Sequence, residues 1–181
     1  KIARTYNSFN RIYNDFPIEA RPDVVVVEDS KSGFEFFKAV FAQYGVECIS
    51  AQSKAKIYST VKERPEKNIL VIADGAAFGP EIERVLTLKH TKNIQLYLPE
   101  SFEWLILDSG VLKDSAIEQV LDDPSGHIES RDYFSWERFF TQFLTDKSRG
   151  TYLEYRKSKL NDAYLAEREM QIIQDRMPDF R

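Results

Sequence analysis

Short hydrophobic runs alternate with amphipathic segments along the first half of the chain. Residues 24–27 are consecutive valines, and an unbroken run of β-branched side chains is typical of a strand buried on both faces of a parallel sheet. The predicted strands are residues 24–27, 46–50, 69–73 and 94–98. Apolar side chains recur every three to four residues in the segments between them, which indicates amphipathic helices. These predicted helices are residues 32–44, 54–63 and 80–88.

The regular alternation of strand and helix predicts the fold class. Successive β-α units indicate an α/β, Rossmann-like fold with a parallel four-stranded sheet flanked by helices. After residue 101 only helical patterns follow, and they predict an α-helical C-terminal extension with helices at residues 115–121, 135–144 and 151–173. We therefore divide the chain into an N-terminal extension that packs on the core, an α/β core and a helical C-terminal region, at residues 1–22, 23–110 and 111–181.

Composition narrows the function classes. The 181 residues fit one ordinary domain, and no apolar run approaches the roughly 18–20 residues that cross a bilayer. The 25 basic and 29 acidic side chains give a net charge of −4, which excludes a bulk polyanion binder of the histone kind. Cys48 is the single cysteine, so an internal disulfide and a cysteine-based zinc site are excluded. We expect a cytoplasmic protein without a membrane partner.

Carboxylates gather where the predicted strands end. Ligands of open parallel sheets bind beyond the carboxyl ends of the strands, so the residues that follow each strand are candidates for a site. They are Glu28, Asp29 and Ser30 after the first strand, Lys54 after the second, Asp74 after the third, and Glu100, Ser101 and Glu103 after the fourth. Oxygen ligands without His or Cys favour Mg²⁺ or Mn²⁺, and Lys54 is placed to offset phosphate charge.

A structural interpretation of these residues stands beside the functional one. Acidic residues after strands also serve as helix N-caps, and Asp29 or Ser30 is placed to cap the first helix. Converging carboxylates, however, raise one another's pKa unless a cation neutralises them. Taken jointly, the strand-end carboxylates favour a functional cluster with a divalent cation that polarises a phosphoryl oxygen.

Segments of the α/β core resemble the motifs of Toprim domains. In residues 24–37 (VVVVEDSKSGFEFF) a hydrophobic strand ends in a glutamate, followed by a small-residue turn and a helix, as in the first Toprim motif. Residues 48–61 (CISAQSKAKIYSTV) resemble the lysine-containing turn of Toprim nucleases of the overcoming-lysogenization-defect group. Residues 68–79 (NILVIADGAAFG) occupy the place of the DxD strand, and residues 96–107 (LYLPESFEWLIL) resemble the later acidic element.

The Toprim resemblance implies a role for each matched residue. Glu28 matches the family's glutamate, which acts as general acid or base, and Lys54 would neutralise phosphate as the second catalytic candidate. Asp74 matches the first Asp of DxD, a metal ligand, and Glu28, Glu100 and Glu103 complete the implied ligand set. The implied function is a nuclease that uses Mg²⁺ or Mn²⁺ and acts on, or holds, the phosphodiesters of DNA or RNA.

Two departures from the Toprim pattern keep a second function open. Ala76 stands where the family has its second Asp, and Asp29 stands where it usually has Gly, so a degenerate Toprim domain that binds without cleaving is an alternative. The chain also resembles the receiver domain of two-component systems, with Glu28-Asp29 as the acidic pair and Asp74 as phospho-acceptor. A Lys-Pro dipeptide, which ends the fifth strand of receivers, occurs nowhere in the sequence, so the Toprim resemblance is preferred.

The C-terminal region and the start of the chain indicate partners. Basic residues near the C-terminus are interleaved with Tyr152 and Tyr155, a pattern that contacts phosphate and stacks bases. The basic residues are Arg149, Arg156, Lys157 and Lys159. A solvated helix whose Tyr and Leu side chains face the core explains the same pattern and is the preferred interpretation. The chain begins at Lys1, and many proteins with this type of Toprim domain carry an ATPase module upstream, so we also expect an ATPase domain or subunit.

Overall fold

The strands of the chain form one parallel sheet. The structure is a computed structural model that describes residues 21–128 and 136–178. Its strands are β1 (Val24–Val27), β2 (Glu47–Ser50), β3 (Asn68–Ile72) and β4 (Asn93–Tyr97), in the order β2-β1-β3-β4. Every neighbouring pair in this order is parallel. The predicted α/β fold with a parallel four-stranded sheet is therefore confirmed.

Helices connect the strands and fill much of the remaining described chain. The connecting helices are α1 (Ser32–Ala42), α2 (Lys54–Glu63) and α3 (Gly75–Leu86), the last continued by a 3₁₀ turn at Thr87–His90. Beyond β4 lie α4 (Phe102–Ser109), α5 (Ser115–Asp122), α6 (Pro124–Ile128), α7 (Trp136–Ser148), a 3₁₀ turn at Asp162–Leu165 and α8 (Glu167–Gln174). The predicted N-terminal extension, residues 1–22, lies almost wholly outside the described residues.

Hydrophobic side chains on the two faces of the sheet form two cores. Val25 and Val27 pack on the face that α1 covers, and Val24 and Val26 pack on the face that α2 and α3 cover. Side chains from α4, α5, α7 and the C-terminal residues join the α1 face; they include Leu105, Ile117, Phe140, Leu144, Leu153, Tyr155, Leu160 and Tyr164. The C-terminal region thus shares a core with the sheet, and β1 is buried on both sides.

The strand order creates a crevice between β1 and β3. From β1 the chain crosses to β2 on one side and then returns to β3 on the other, so the connections diverge at this point. Open α/β sheets bind ligands at such a topological switch point, outside the carboxyl ends of the strands. The register pairs Val27 with Ile72, and the Glu28 N–H donates to the Ile72 carbonyl over 2.8 Å. Glu28 and Asp74 therefore emerge side by side at this edge.

Helix α3 begins at Gly75, whereas the sequence pattern predicted a start at Pro80. The Gly75 N–H donates to the Pro99 carbonyl over 2.6 Å, so the first turn of the helix lies directly against the end of β4. A Cβ atom at position 75 would lie 2.9 Å from the Leu98 carbonyl oxygen, and only glycine allows this approach. The close packing lets the helix start as soon as β3 ends.

The single helix predicted for residues 151–173 is wrong. Gly150, with φ of +73°, follows the end of α7, and the residues up to Asn161 form turns and irregular backbone. Their backbone groups bond to side chains instead: the Tyr155 N–H donates to Ser148 Oγ over 2.8 Å, and the Asn161 amide donates to the Tyr152 carbonyl over 2.9 Å. These polar side chains take the place of helical hydrogen-bond partners, so the segment remains irregular instead of forming a helix.

Two glycines of α3 give a matched test of this packing. We expect Gly75→Ala to lower the free energy of unfolding by roughly 1–3 kcal/mol, because the new Cβ meets the backbone that directly follows β4. Gly79→Ala meets nothing within 4 Å and should raise stability by roughly 0.5–1 kcal/mol, the ordinary gain of alanine inside a helix. Urea unfolding followed by circular dichroism measures both. An unchanged midpoint for Gly75→Ala would contradict the described contact.

Candidate functional site

A cavity of about 260 Å³ lies at the carboxyl edge of the sheet, beside the switch point. Acidic side chains from distant parts of the chain line it, among them Glu28 after β1, Asp74 after β3, Glu103 in α4 and Glu137 in α7. Asp29 and Ser30, which follow Glu28, also line it. Lys157, from the C-terminal segment, lines it as well. We call this space, with the five charged side chains Glu28, Asp74, Glu103, Glu137 and Lys157 in its lining, the acidic cavity. A larger cavity of about 460 Å³ lies elsewhere, near Tyr44 and Gln174, and none of the five lines it.

Glu28 and Asp74 meet at the centre of the acidic cavity. The backbone N–H of Asp74 donates to Oε2 of Glu28 over 3.2 Å, so the two residues that the sequence placed at strand ends are in contact. Burial raises the pKa of Glu28, and the negative charge of Glu137 raises it further, against the opposing effect of the Asp74 N–H. Both residues are half-buried.

Asp74 carries the strongest electrostatic strain of the acidic cavity. Burial raises its pKa well above the ordinary value of 3.8, and the charges of Glu103, Glu28 and Glu137 raise it further. The ammonium of Lys157 acts in the opposite direction but does not cancel the effect. A group in this environment binds a proton, or another cation, more readily than an ordinary aspartate.

Glu103 is fixed in place by hydroxyl groups. Its side chain is buried, and its Oε1 accepts hydrogen bonds from the Tyr155 hydroxyl over 2.7 Å and from Thr141 Oγ1 over 3.1 Å. The Tyr155 oxygen also lies 2.8 Å from Ser32 Oγ in α1. Hydroxyl groups of α7 and of the C-terminal segment thus bond this carboxylate directly, and α1 supports it through Tyr155. The network gives Glu103 a defined orientation at the wall of the cavity.

Lys157 brings a positive charge into the acidic cavity. Its ammonium forms an ion pair with Glu137 and lies 3.7 Å from Oε1 of Glu103. The sequence placed Lys157 among nucleic-acid contacts, and it did not single out Glu137. Both residues reach the cavity through tertiary packing, because they lie far along the chain from the strands that form it.

Asp29 serves mainly as a cap of α1. Its Oδ1 accepts hydrogen bonds from the Ser30 and Lys31 N–H groups over 2.7 and 3.1 Å, and its Oδ2 accepts one from the Gly33 N–H over 2.8 Å. A Cβ atom at position 33 would lie 2.7 Å from Asp29 Oδ2, so a larger residue there would displace the carboxylate from this position. The capping interpretation therefore describes what Asp29 does in the structure.

Ser101 and Ser30 have local surroundings. Ser101 is buried and caps α4, where its hydroxyl accepts a hydrogen bond from the Trp104 N–H over 3.1 Å. Ser30 is exposed in the turn before α1 and lines the acidic cavity. Lys54, the first residue of α2, is exposed as well, but its charge lowers the pKa of Glu28 and so acts on the acidic cavity from its rim.

Glu100 lies apart from the other strand-end carboxylates. Burial raises its pKa to about 8, and no neighbouring charge contributes to the shift. Its Oε2 atom is buried without a hydrogen-bond partner in the part of the chain that the structure describes. Glu100 is therefore not brought together with Glu28 and Asp74, whereas Glu103 is.

The predicted basic strip is divided in the structure. Arg149 and Arg156 are exposed and pair with Asp146 and Glu154 over 2.8 and 3.1 Å, and Lys159 is exposed nearby in the chain. Tyr155 is 1% exposed and packs in the core, so its ring does not offer a stacking surface, while Tyr152 is 64% exposed. The aromatic part of the expected nucleic-acid contact is thus reduced to one side chain.

The donor set is compatible with a metal ion that shares its coordination with a ligand. Across residues 21–128 and 136–178, no three or more His, Cys, Asp or Glu side chains are placed to hold a metal ion together. A complete protein cage is therefore not formed by the described side chains. Mg²⁺, however, is commonly held by one or two carboxylates and completed by waters and substrate phosphates, and Glu28 with Asp74 can supply that number.

No protein-family model matches the chain, and comparisons with curated proteins and with solved structures find no significant match. Within the described ranges, none of the helices has the length and apolar character needed to span a bilayer.

Stability should respond to pH through Asp74. Because its pKa is raised above 3.8 in the folded chain, the folded state keeps this proton to a higher pH than the unfolded state. The free energy of unfolding therefore falls as pH rises from 3.8, the ordinary pKa of the unfolded chain, to the raised pKa of Asp74 in the folded chain. Without divalent ions, Asp74→Asn should be roughly 1–3 kcal/mol more stable than the wild type near pH 8, and about equally stable near pH 4.

Urea unfolding in a chelating buffer across this pH range measures the effect. Asp122→Asn, at an exposed position of α5, is the matched control and should change stability by less than about 0.5 kcal/mol at either pH. If Asp74→Asn were the less stable protein near pH 8, the uncompensated charge inferred for Asp74 would be refuted.

Proposed function

We propose that the chain is a Toprim-like domain that binds Mg²⁺ or Mn²⁺ beside Glu28 and Asp74 and acts on, or holds, the phosphodiester of a nucleic acid. The observation that supports this proposal most directly is the convergence of the Glu28, Glu103 and Glu137 charges on Asp74 at the switch point of the sheet. A position of this kind is where open α/β sheets bind ligands.

Buried carboxylates without a compensating positive charge destabilise a folded protein, so their convergence favours a bound cation. Burial of a charged group without sufficient pairing lowers stability, and like charges within a few ångströms add to the loss. Lys157 offsets part of the negative charge, yet the pKa of Asp74 remains well above its ordinary value. A divalent cation would remove the remaining repulsion, and its oxygen preference agrees with a set of carboxylates without His or Cys.

The residues of the acidic cavity differ in the roles that they suit. Asp74 suits the principal metal ligand, because its charge is the least compensated. Glu28 suits a general acid or base, since burial moves its pKa upward, towards neutral pH. Glu103 accepts hydrogen bonds from two hydroxyl groups and suits a supporting role. A bound metal ion would polarise a phosphoryl oxygen, which is the chemistry that these side chains do not supply.

A receiver-like function is less well supported by the same geometry. In that alternative Asp74 accepts a phosphoryl group, and Glu28 and Asp29 together bind the metal ion. The carboxylate of Asp29, however, accepts three backbone N–H bonds at the start of α1, and these bonds hold it as a cap. Asp29 therefore has few free lone pairs left to bind a metal ion together with Glu28, which favours the Toprim-like proposal.

Metal binding is the first test of the proposed function. We expect millimolar Mg²⁺ or Mn²⁺ to raise the melting temperature of the wild type by several degrees near pH 8, since a ligand at about 100 times its Kd adds about 2.7 kcal/mol. Asp74→Asn should lose most of this increase, and the exposed-site control Asp122→Asn should keep it. A wild-type melting temperature that neither Mg²⁺ nor Mn²⁺ changes would exclude the metal site.

Cleavage of nucleic acid is the second test. With Mn²⁺ or Mg²⁺ present, we expect the wild type to cut DNA or RNA, and Glu28→Gln to reduce the rate by roughly 10²–10⁴-fold through loss of proton transfer. The substituted glutamine side chain would still accept the Asp74 N–H through its amide oxygen, so the fold of the edge is preserved. Glu118→Gln, at an exposed position of α5, is the control.

The outcomes of the cleavage assay separate the two forms of the proposal. Metal-dependent binding of nucleic acid without cleavage would identify a domain that holds the phosphodiester. Beryllofluoride binding at Asp74, without any affinity for nucleic acid, would instead identify the receiver-like alternative.

A further inference from the structure

Lys157 lies where a bound cation would be expected. Its ammonium pairs with Glu137, lies 3.7 Å from Oε1 of Glu103 and acts electrostatically on Asp74. Three carboxylates from α4, α7 and the end of β3 therefore face one lysine. The side chain is 36% exposed, so solvent reaches part of it while its charge offsets the carboxylates.

The backbone around Lys157 is anchored to α1. The Ser32 N–H donates to the Lys157 carbonyl over 3.4 Å, and the Leu160 N–H donates to Glu35 Oε2 over 2.6 Å. On the other side, the buried Tyr155 hydroxyl bonds to Ser32 Oγ. The main chain is thus fixed on both sides of Lys157, while its four-carbon side chain retains rotatable bonds.

We infer that Lys157 is a tethered cation that occupies the acidic cavity in the absence of a metal ion and competes with the divalent ion for the same carboxylates. This inference rests on the proposed metal site. A divalent ion beside Asp74 and the Lys157 ammonium repel each other, so each weakens the binding of the other. The incoming ion displaces the ammonium towards solvent, and the anchored backbone keeps the lysine ready to return when the ion leaves.

The charge of Lys157 can be removed with a near-isosteric side chain. We expect Lys157→Met to bind Mn²⁺ roughly three- to tenfold more tightly than the wild type in calorimetric titration, because the competing charge is gone. Lys157→Arg keeps a cation and should stay near the wild-type affinity. Lys159→Met removes an exposed charge two positions further along the same segment and should change the affinity less than about twofold.

A second measurement needs no substitution. The amine of Lys157 in the wild type can be acetylated with a water-soluble active ester and quantified by peptide mass spectrometry, with and without Mg²⁺. We expect Mg²⁺ to increase the labelling of Lys157 severalfold, because the ammonium leaves its ion pairs, and to leave Lys159 unchanged.

The results distinguish a failure of this inference from a failure of the proposed function. If the wild type binds Mn²⁺ and Lys157→Met binds it equally or more weakly, Lys157 assists the metal ion and the competition is refuted. Unchanged or reduced labelling of Lys157 in Mg²⁺ refutes it in the same way. If neither the wild type nor Lys157→Met binds Mn²⁺, the metal site itself is refuted, and the competition with it.

Discussion

The parallel pairing of β1 with β3 is the contact on which the site depends. Its register sets Val27 opposite Ile72, so both strands end at the same level, and the Glu28 N–H continues the ladder by one further bond. Asp74 then follows close enough for its N–H to reach the Glu28 carboxylate. A shift of the register by one residue would separate these two groups and would also turn the strand's side chains to the opposite faces.

Most of the sheet could be predicted because its signals are local. An uninterrupted run of β-branched residues such as residues 24–27 is compatible with few structures other than a buried parallel strand. In the segments between the strands, apolar residues recur with the 3.6-residue period of an α-helix. The segment after α7 has an equally helical composition, yet Tyr155 and Leu160 are buried against remote parts of the chain. Local propensity predicts such a segment poorly because tertiary contacts decide its backbone.

The site was predictable only where topology alone brings residues together. Glu28 and Asp74 follow strands that meet at a switch point, so the rule for open sheets places them at the same edge. Glu137 and Lys157 lie in the helical C-terminal region, and the Tyr155–Glu103 hydrogen bond joins residues 52 positions apart. Nothing in a single sequence reports such a distant contact, and capping roles like that of Asp29 depend on the local backbone geometry.

The C-terminal segment couples the acidic cavity to the core. The ring of Tyr155 packs beside Phe102, with centroids 6.4 Å apart, while its hydroxyl donates to Glu103. The apolar contact and the polar contact therefore share one side chain, and movement of Glu103 would disturb both. Asp74 is oriented by its backbone at the end of β3, and its charge is the least compensated of the cavity. If a cation binds as proposed, it would therefore displace Lys157 and reorganise the Glu28–Asp74 side of the cavity, while Glu103 keeps its position.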